Sequence, residues 1–464
     1  MNRQQRIALF VLLLAGFVTI FDLFVVNVAI VNIERTLNAT LTELTLIIVG
    51  YELAFGLLLI TGGRLGDIYG RRTLYRIGMF GFTVTSVLCA ISPNAIFLVI
   101  ARCLQGLTAA LLFPQVYSSI RLNFDEAQAK KIFGLLGMTL GLAAIAGQAL
   151  GGLLISLNVF GLEWRTIFLI NLIIGIIALG FSRYLIQSEA LDYIKLDIGG
   201  VILSACGISF TLLPLLMLPI WGWKLHSTLF FLFGLILLVL FIYYENNLKQ
   251  QGKQPLFDPF LFTNNQYVIG IGIVVCVYAT SSAFPTMMSI LLQSGFKLTV
   301  LDSGLIFVPS SIGFVLSSLL TPKWVKKMGE KIIYWGATLY ALSYISLIVG
   351  VYYLISPENS SFVIPFLFLV GFTQGMIMTP MLNLVLAKVK PEFIGIASGL
   401  TATLQQVGAA LGATCVSIIL QFSLNHAFST EVIEQYKIAF SFSMIFNFLM
   451  AICATFLLRK IVHK

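Results

Sequence analysis

The sequence predicts an all-α membrane protein of fourteen transmembrane helices, built as two six-helix bundles with two helices inserted between them. Three observations predict it: the scale of the apolar content, the alternation of basic loops, and a repeat between the two ends of the chain. Of the 464 residues, 59% are apolar and 10% charged, and the mean hydropathy is +0.98. Soluble domains carry about 25% charged and about 45–50% apolar residues. A water-soluble fold could not cover this much apolar surface, so the solvent for most of the chain is lipid. At about 20 residues per span plus short loops there is room for roughly fourteen helices and none for a separate soluble domain.

Apolar runs of spanning length occur in order at about 7–30, 42–63, 73–92, 95–120, 130–156 and 164–186. The first follows a short basic start, Met1 to Arg6, and reaches Ile30 without a small-residue cleavage pattern, so it reads as a retained span. Two runs near 196–218 and 226–245 form the inserted pair, where Pro214 and Pro219 interrupt or end a helix. Six more follow at about 266–292, 302–321, 332–354, 362–386, 393–421 and 437–458. The chain therefore divides at 1–190, 191–255 and 256–464.

Basic residues test this count. The N-terminus and every second loop hold Arg3, Arg6, Arg64, Arg71, Arg72, Arg76, Arg121, Lys130, Lys131, Arg183 and Lys195. The series continues with Lys249, Lys253, Lys323, Lys326, Lys327, Lys331, Lys388, Lys390, Arg459, Lys460 and Lys464. The intervening loops hold only Arg35, Arg165, Lys224, Lys297 and Lys437. That asymmetry follows the positive-inside rule and predicts cytoplasmic termini. The net charge of +9 reads as this topology signal facing anionic headgroups, so the bilayer and not nucleic acid is the expected partner.

Two stretches match at a constant offset. Gly147 is followed by Ala149-Leu150-Gly151-Gly152, and Gly408 by Ala410-Leu411-Gly412-Ala413. The loop Arg64-Leu-Gly-Asp67-Ile-Tyr-Gly70-Arg71-Arg72 corresponds to Lys323-Trp-Val-Lys326-Lys-Met-Gly329-Glu330-Lys331. Duplicated halves with a site between them are a transporter architecture, because one half can rock against the other.

Charge within lipid is costly, by about 2.5–3.5 kcal/mol or more per group at mid-membrane. Three such groups stand out: Asp22, Glu52 and Arg102. Asp22 and Arg102 lie about 12 Å and about 10 Å from the same membrane face, so they are placed to pair. Glu52 falls near the middle of the second span. The functional reading is a protonatable acid governed by Arg102 and by cargo; the structural one is an ion pair that only orients helices. The loop between spans 2 and 3 concentrates Gly63, Arg64, Gly66, Asp67, Gly70, Arg71 and Arg72. Its glycines allow close backbone approach, and Asp67 can meet the arginines or a helix N-terminus.

These residues carry a resemblance. The Gly62–Arg72 segment resembles the loop signature of the major facilitator superfamily. Phe21-Asp22 through Ala29 resembles the first-helix signature of its 14-helix drug/proton antiporter branch, and Arg102-Cys-Leu-Gln105-Gly106 the fourth-helix signature. Glu163-Trp164-Arg165 through Asn171 resembles that branch's start of helix 6. The resemblance implies the major facilitator fold and export of drugs and toxic compounds in exchange for protons. It implies that Asp67 and Arg71 belong to a gate latch, that Arg102 assists proton transfer, and that Asp22 senses protons or cargo. The fifth helix departs: Gln148 stands where the antiporter pattern has proline, so the proline kink is expected to be absent. Phe24 and Val31 replace the usual threonine and proline of the first-helix pattern.

Polar residues within spans, including Asn27, Gln105, Gln148, Gln374, Asn383 and Gln405, are candidates to line a substrate cavity, against their commoner use as interhelical glue. Some of the 38 phenylalanines could line a greasy cavity for flat aromatic cargo. The six cysteines lie in apolar runs without a CxxC pair and read as buried apolar residues, not metal or disulfide sites. His226, His426 and His463 lie in loops or the tail, and no HExxH, GxSxG or GxxxxGK[ST] motif occurs. That argues against an enzyme and against ATP as the power source. No cofactor is expected beyond the proton as coupling ion. The expected partners are a small-molecule substrate and lipid, the expected state a monomer, and the expected location a bacterial inner membrane. A transporter of the same fold that moves a siderophore, metabolite or lipid-like molecule, in either direction, is the alternative.

Overall fold

Helices begin where a polar residue precedes an apolar run. The coordinates are a computed structural model describing residues 1–188, 197–221, 224–251, 256, 259–386, 389, 394–426 and 431–462. Helix α1 (Arg3–Leu37) opens on Asn2, whose Oδ1 accepts from Gln5 N at 2.7 Å while Asn2 N donates to Gln5 Oε1 at 3.0 Å. Thr40 and Glu43 repeat this reciprocal cap at α2 (Leu41–Tyr69). Such caps satisfy donors that the first helical turn leaves without a partner. Then come α3 (Arg71–Ala90), α4 (Ala95–Asn123), α5 (Glu126–Leu157) and α6 (Thr166–Phe181). The inserted pair is α7 (Ile198–Leu216) and α8 (Leu225–Gln250), with a short helical turn, Leu218–Trp221, between them. The last six are α9 (Asn265–Ile290), α10 (Val300–Met328), α11 (Lys331–Val349), α12 (Ile364–Leu386), α13 (Ile394–Asn425) and α14 (Val432–Val462).

All fourteen are long and apolar enough to cross a membrane, and no strand occurs among the described residues. Several outrun their apolar cores. Helix α1 continues past Ile30 through Glu34 and Arg35, because a helix can carry polar residues into the interface without losing its backbone hydrogen bonds. Pro214 falls in the last turn of α7 and the chain restarts after it. Prolines also lie inside α4, α9, α10 and α12, but α5 runs unbroken for 32 residues with Gln148 in its interior.

The first and last six helices share one packing order. Helices α2 and α4 pack as α10 and α12 do, α1 and α5 as α9 and α13, α3 and α4 as α11 and α12, α3 and α6 as α11 and α14. The two sets meet along a seam in which α2 lies on α13, α5 on α10 and α1 on α9, again related by the same exchange. Helix α7 leans on α2, and α8 packs on α7, with most of α8 exposed to the surroundings.

Candidate functional site

Asp22, Arg102 and Gln105 come together in one sealed cluster within the first six helices. Arg102 Nη1 donates to Asp22 Oδ2 at 2.5 Å and to Gln105 Oε1 at 2.6 Å. Gln105 Nε2 and Asn171 Nδ2 donate to Asp22 Oδ1 at 3.0 and 2.7 Å, and both also reach Ser86 Oγ. Arg102 Nε donates to Ile47 O at 3.2 Å, and its guanidinium lies 4.2 Å from the centre of the Tyr51 ring. Asp22, Gln105, Ser86 and Asn171 are 0% exposed and Arg102 1%. A buried ion pair survives desolvation only when its remaining donors and acceptors are met, and here five helices meet them. Depth in the membrane predicts the pairing of Asp22 with Arg102, and the structure places Gln105, a cavity candidate by sequence, around that pair.

Glu52 occupies different surroundings. It is 2% exposed and lies on the seam. Oε1 accepts from Ser282 Oγ of α9 at 2.7 Å, while Oε2 has no hydrogen-bond partner among the described residues. Ser282 heads a polar row on α9 with Thr286 and Ser289, spaced so that the three share one helix face, and Gln293 follows in the π-helical turn Leu291–Gly295. Thr286 Oγ1 donates to Asn27 Oδ1 at 2.8 Å, and Gln293 Nε2 donates to Val28 O at 3.0 Å. Each of these hydrogen bonds joins one set of six to the other, and they run from mid-depth toward the face without the basic loops. Gln148 is buried on α5 with neither amide atom partnered among the described residues, and its backbone oxygen touches α10 at Gly304.

The glycine- and arginine-rich turn folds on itself. Arg71 Nη2 pairs with Asp67, and Nη1 donates to Gly63 O at 3.2 Å and to Gln115 Oε1 at 3.4 Å. Gln115 Nε2 in turn donates to Gly62 O at 2.8 Å. A Cβ at Gly66 would fall 2.2 Å from Gln115 Oε1, so a side chain there would push Gln115 from its place beside Arg71. Arg72 Nη1 donates to Leu185 O at 3.4 Å, and Arg64 is half-buried on the last turns of α2. Among the described residues, the side-chain hydrogen-bond partners of Arg71 belong to α2 and α4, and its backbone N–H donates to Ser188 in the segment that follows α6.

The remaining cavity candidates scatter. Gln374 Nε2 donates to Ser281 Oγ at 2.9 Å inside the last six helices, and Gln405 is half-buried on α13. The side chain of Asn383 lies outside the described residues. Sequence reasoning missed Ser86, Ser282, Thr286, Gln293 and Gln115. Hydroxyls are too common on membrane helices to announce a role, but Gln115, beside the helix-interior Pro114, carried a signal: an amide in a span needs partners.

A family model described as Major Facilitator Superfamily matches residues 12–413. This chain belongs to the major facilitator superfamily. It is 31% identical over 407 residues to the probable actinorhodin transporter of Streptomyces coelicolor, covering 87% of this chain and 70% of that one. It is 28% identical over 423 residues to the methylenomycin A resistance protein of Bacillus subtilis, covering 89% and 87%. A solved bacterial homolog of the human lysosomal transporter Spinster superposes with a TM-score of 0.66 at 13% identity, covering 100% of this chain and 98% of that one. As a major facilitator the protein is a multi-pass membrane transporter and not an enzyme.

Proposed function

We propose that the protein is a proton-coupled antiporter that exports amphipathic or cationic compounds, antibiotics among them, across a bacterial plasma membrane by alternating access. The observation that carries this reading is Glu52: a buried carboxyl on the seam between the two sets, held through one oxygen by Ser282 and with no partner for the other among the described residues. Asp22 is already neutralised by Arg102, so Glu52 is the embedded charge left to exchange between a proton and a cationic cargo. Relatives named for antibiotic transport or resistance support export.

With the basic loops in the cytoplasm, as the charge asymmetry favours, both termini are cytoplasmic and the seam hydrogen bonds lie on the outer side. The described state then faces inward. Cargo entering from the cytoplasm meets Glu52 and displaces its proton; the sets rock; a proton from outside releases the cargo. Asp22 and Arg102 serve this cycle by fixing α1 and α2 relative to α4, which sets where Glu52 sits. The loop from Gly63 to Arg72 acts as a latch that is docked on its own set in this state. Both sets belong to one chain, so a monomer suffices.

The test is a pH-gradient-driven flux assay in proteoliposomes across cationic dyes, amphipathic antibiotics, siderophores and small metabolites. Outward-directed movement of dyes or antibiotics that stops when a protonophore collapses the gradient is the expected result. Movement of only metabolites or siderophores, or gradient-independent movement, would overturn it.

A further inference from the structure

Helices α5 and α10, one from each set, meet backbone to backbone. A Cβ on Gly304 would lie 2.5 Å from Gln148 O and 3.6 Å from Gly152 Cα, and one on Gly152 would lie 2.8 Å from Val300 O. Positions 148 and 152, one turn apart, therefore face α10, while Gly147 and Gly151 face α1 at Phe21, Phe24 and Val25. Gly152 is close to the end of α5 and Val300 is the first residue of α10, so the contact lies toward the membrane face without the basic loops. Gln148 is enclosed at this contact, 2% exposed, with neither Oε1 nor Nε2 partnered among the described residues. A side-chain amide has two donors and an acceptor oxygen to satisfy. Burying them without partners destabilises the arrangement that buries them.

The repeat shows that the frame does not need this amide. At the constant offset between the halves, the position matching Gln148 is Ala409 of α13, also buried. Beside it, Ala410 and Ala413 pack on Val49 of α2. The same joint is thus apolar between α13 and α2 and carries an amide between α5 and α10.

We propose that Gln148 sets the balance between the two arrangements of the sets, because its amide lacks partners while α5 lies on α10 and gains water when the two helices part. The proposal rests on the reading that the sets rock and open this side of the seam. The amide opposes closure, against the hydrogen bonds from Ser282 to Glu52, Thr286 to Asn27 and Gln293 to Val28 O that hold the seam shut. The sign separates this role from packing. If Gln148 only filled space, replacing it would loosen the seam. If the amide opposes closure, an apolar side chain of similar volume tightens it.

The test is the reaction of a single cysteine with a charged, membrane-impermeant thiol reagent, on the full chain in nanodiscs without cargo or gradient. The cysteine replaces Ser289, which is 0% exposed in the polar row of α9, and the native cysteines are replaced by alanine. The reagent reaches it when the seam opens, so the rate follows the open population. Gln148→Leu and Gln148→Met should each slow the reaction about tenfold, the effect of relieving one unsatisfied buried polar group. Gln148→Asn, which keeps an amide, should react within about threefold of the form with Gln148. An unchanged or faster reaction in either folded apolar variant, or Gln148→Asn as slow as they are, would overturn the proposal. No reaction even with Gln148 in place would overturn it too, since the seam would then not open. A variant that does not fold lacks a thermal unfolding transition and is set aside, and the other apolar variant then decides. Because neither flux nor a proton gradient is involved, the outcome is independent of whether protons drive transport.

Discussion

The two sets of six helices share a packing order and differ in what they bury. The first is pinned by an ion pair, Asp22 with Arg102, enclosed by Gln105, Asn171 and Ser86. In the second, α9 and α11 bury neutral hydroxyls against each other: Thr280 to Tyr340 at 2.7 Å and Tyr340 to Tyr344 at 2.8 Å. Thr373 Oγ1 reaches Ser343 Oγ at 3.4 Å nearby. One duplicated frame thus tolerates a charged core or a neutral one, provided that each buried polar group finds partners. The charged core is the more sensitive to substitution, since removing one partner strands an ion. The hydroxyl core loses less when one member is removed. The first set presents Glu52, and the second presents the polar row of α9, a helix with Pro285 inside it that runs on into a π-helical turn at Leu291–Gly295.

That contrast makes graded predictions. Arg102→Gln should destabilise the protein by about 3–5 kcal/mol, because Asp22 would stay buried without its cation. Thermal unfolding in detergent reads this, and Asp22→Asn combined with Arg102→Gln should recover part of the loss. If Arg102→Gln melts like wild type, the first set is not held by its ion pair. Next in size, Thr286→Val leaves Asn27 Oδ1 without its donor and should weaken the seam by about 1 kcal/mol. The expected sign is faster reaction of a cysteine placed at Val31, one turn beyond Asn27, with a water-soluble reagent in Thr286→Val than with Thr286 intact. Smallest, Tyr344→Phe removes one end of a neutral hydroxyl chain and should cost about 0.5–1 kcal/mol. A loss for Tyr344→Phe as large as that for Arg102→Gln would erase the distinction between the cores.

Much of this was legible before any coordinates. The number and order of spans follow from hydropathy, since lipid forces every backbone polar group into helices. The pairing of Asp22 with Arg102 followed from depth alone, as two costly charges at one level have reason to meet. Gln105 was readable too: it lies three residues after Arg102, on the same helix face, and this spacing argues for the ion pair's shell over a cavity. Glu52 was visible as an embedded acid, but its partner was not. Ser282 belongs to the other set, and its meeting with Glu52 depends on how the sets dock, which no local pattern encodes. The same holds for the contact between Ser188 and the α3 N-terminus. The turn at Gly70 advertises a missing cap, but the residue that supplies it is remote in sequence.

The claim on which the account turns is that Glu52 carries the coupling proton. It is tested most directly by Glu52→Gln in proteoliposomes, comparing pH-gradient-driven transport with gradient-free exchange of the same cargo. The account predicts that gradient-driven accumulation disappears while exchange persists. Accumulation by Glu52→Gln equal to that of the wild type would contradict it.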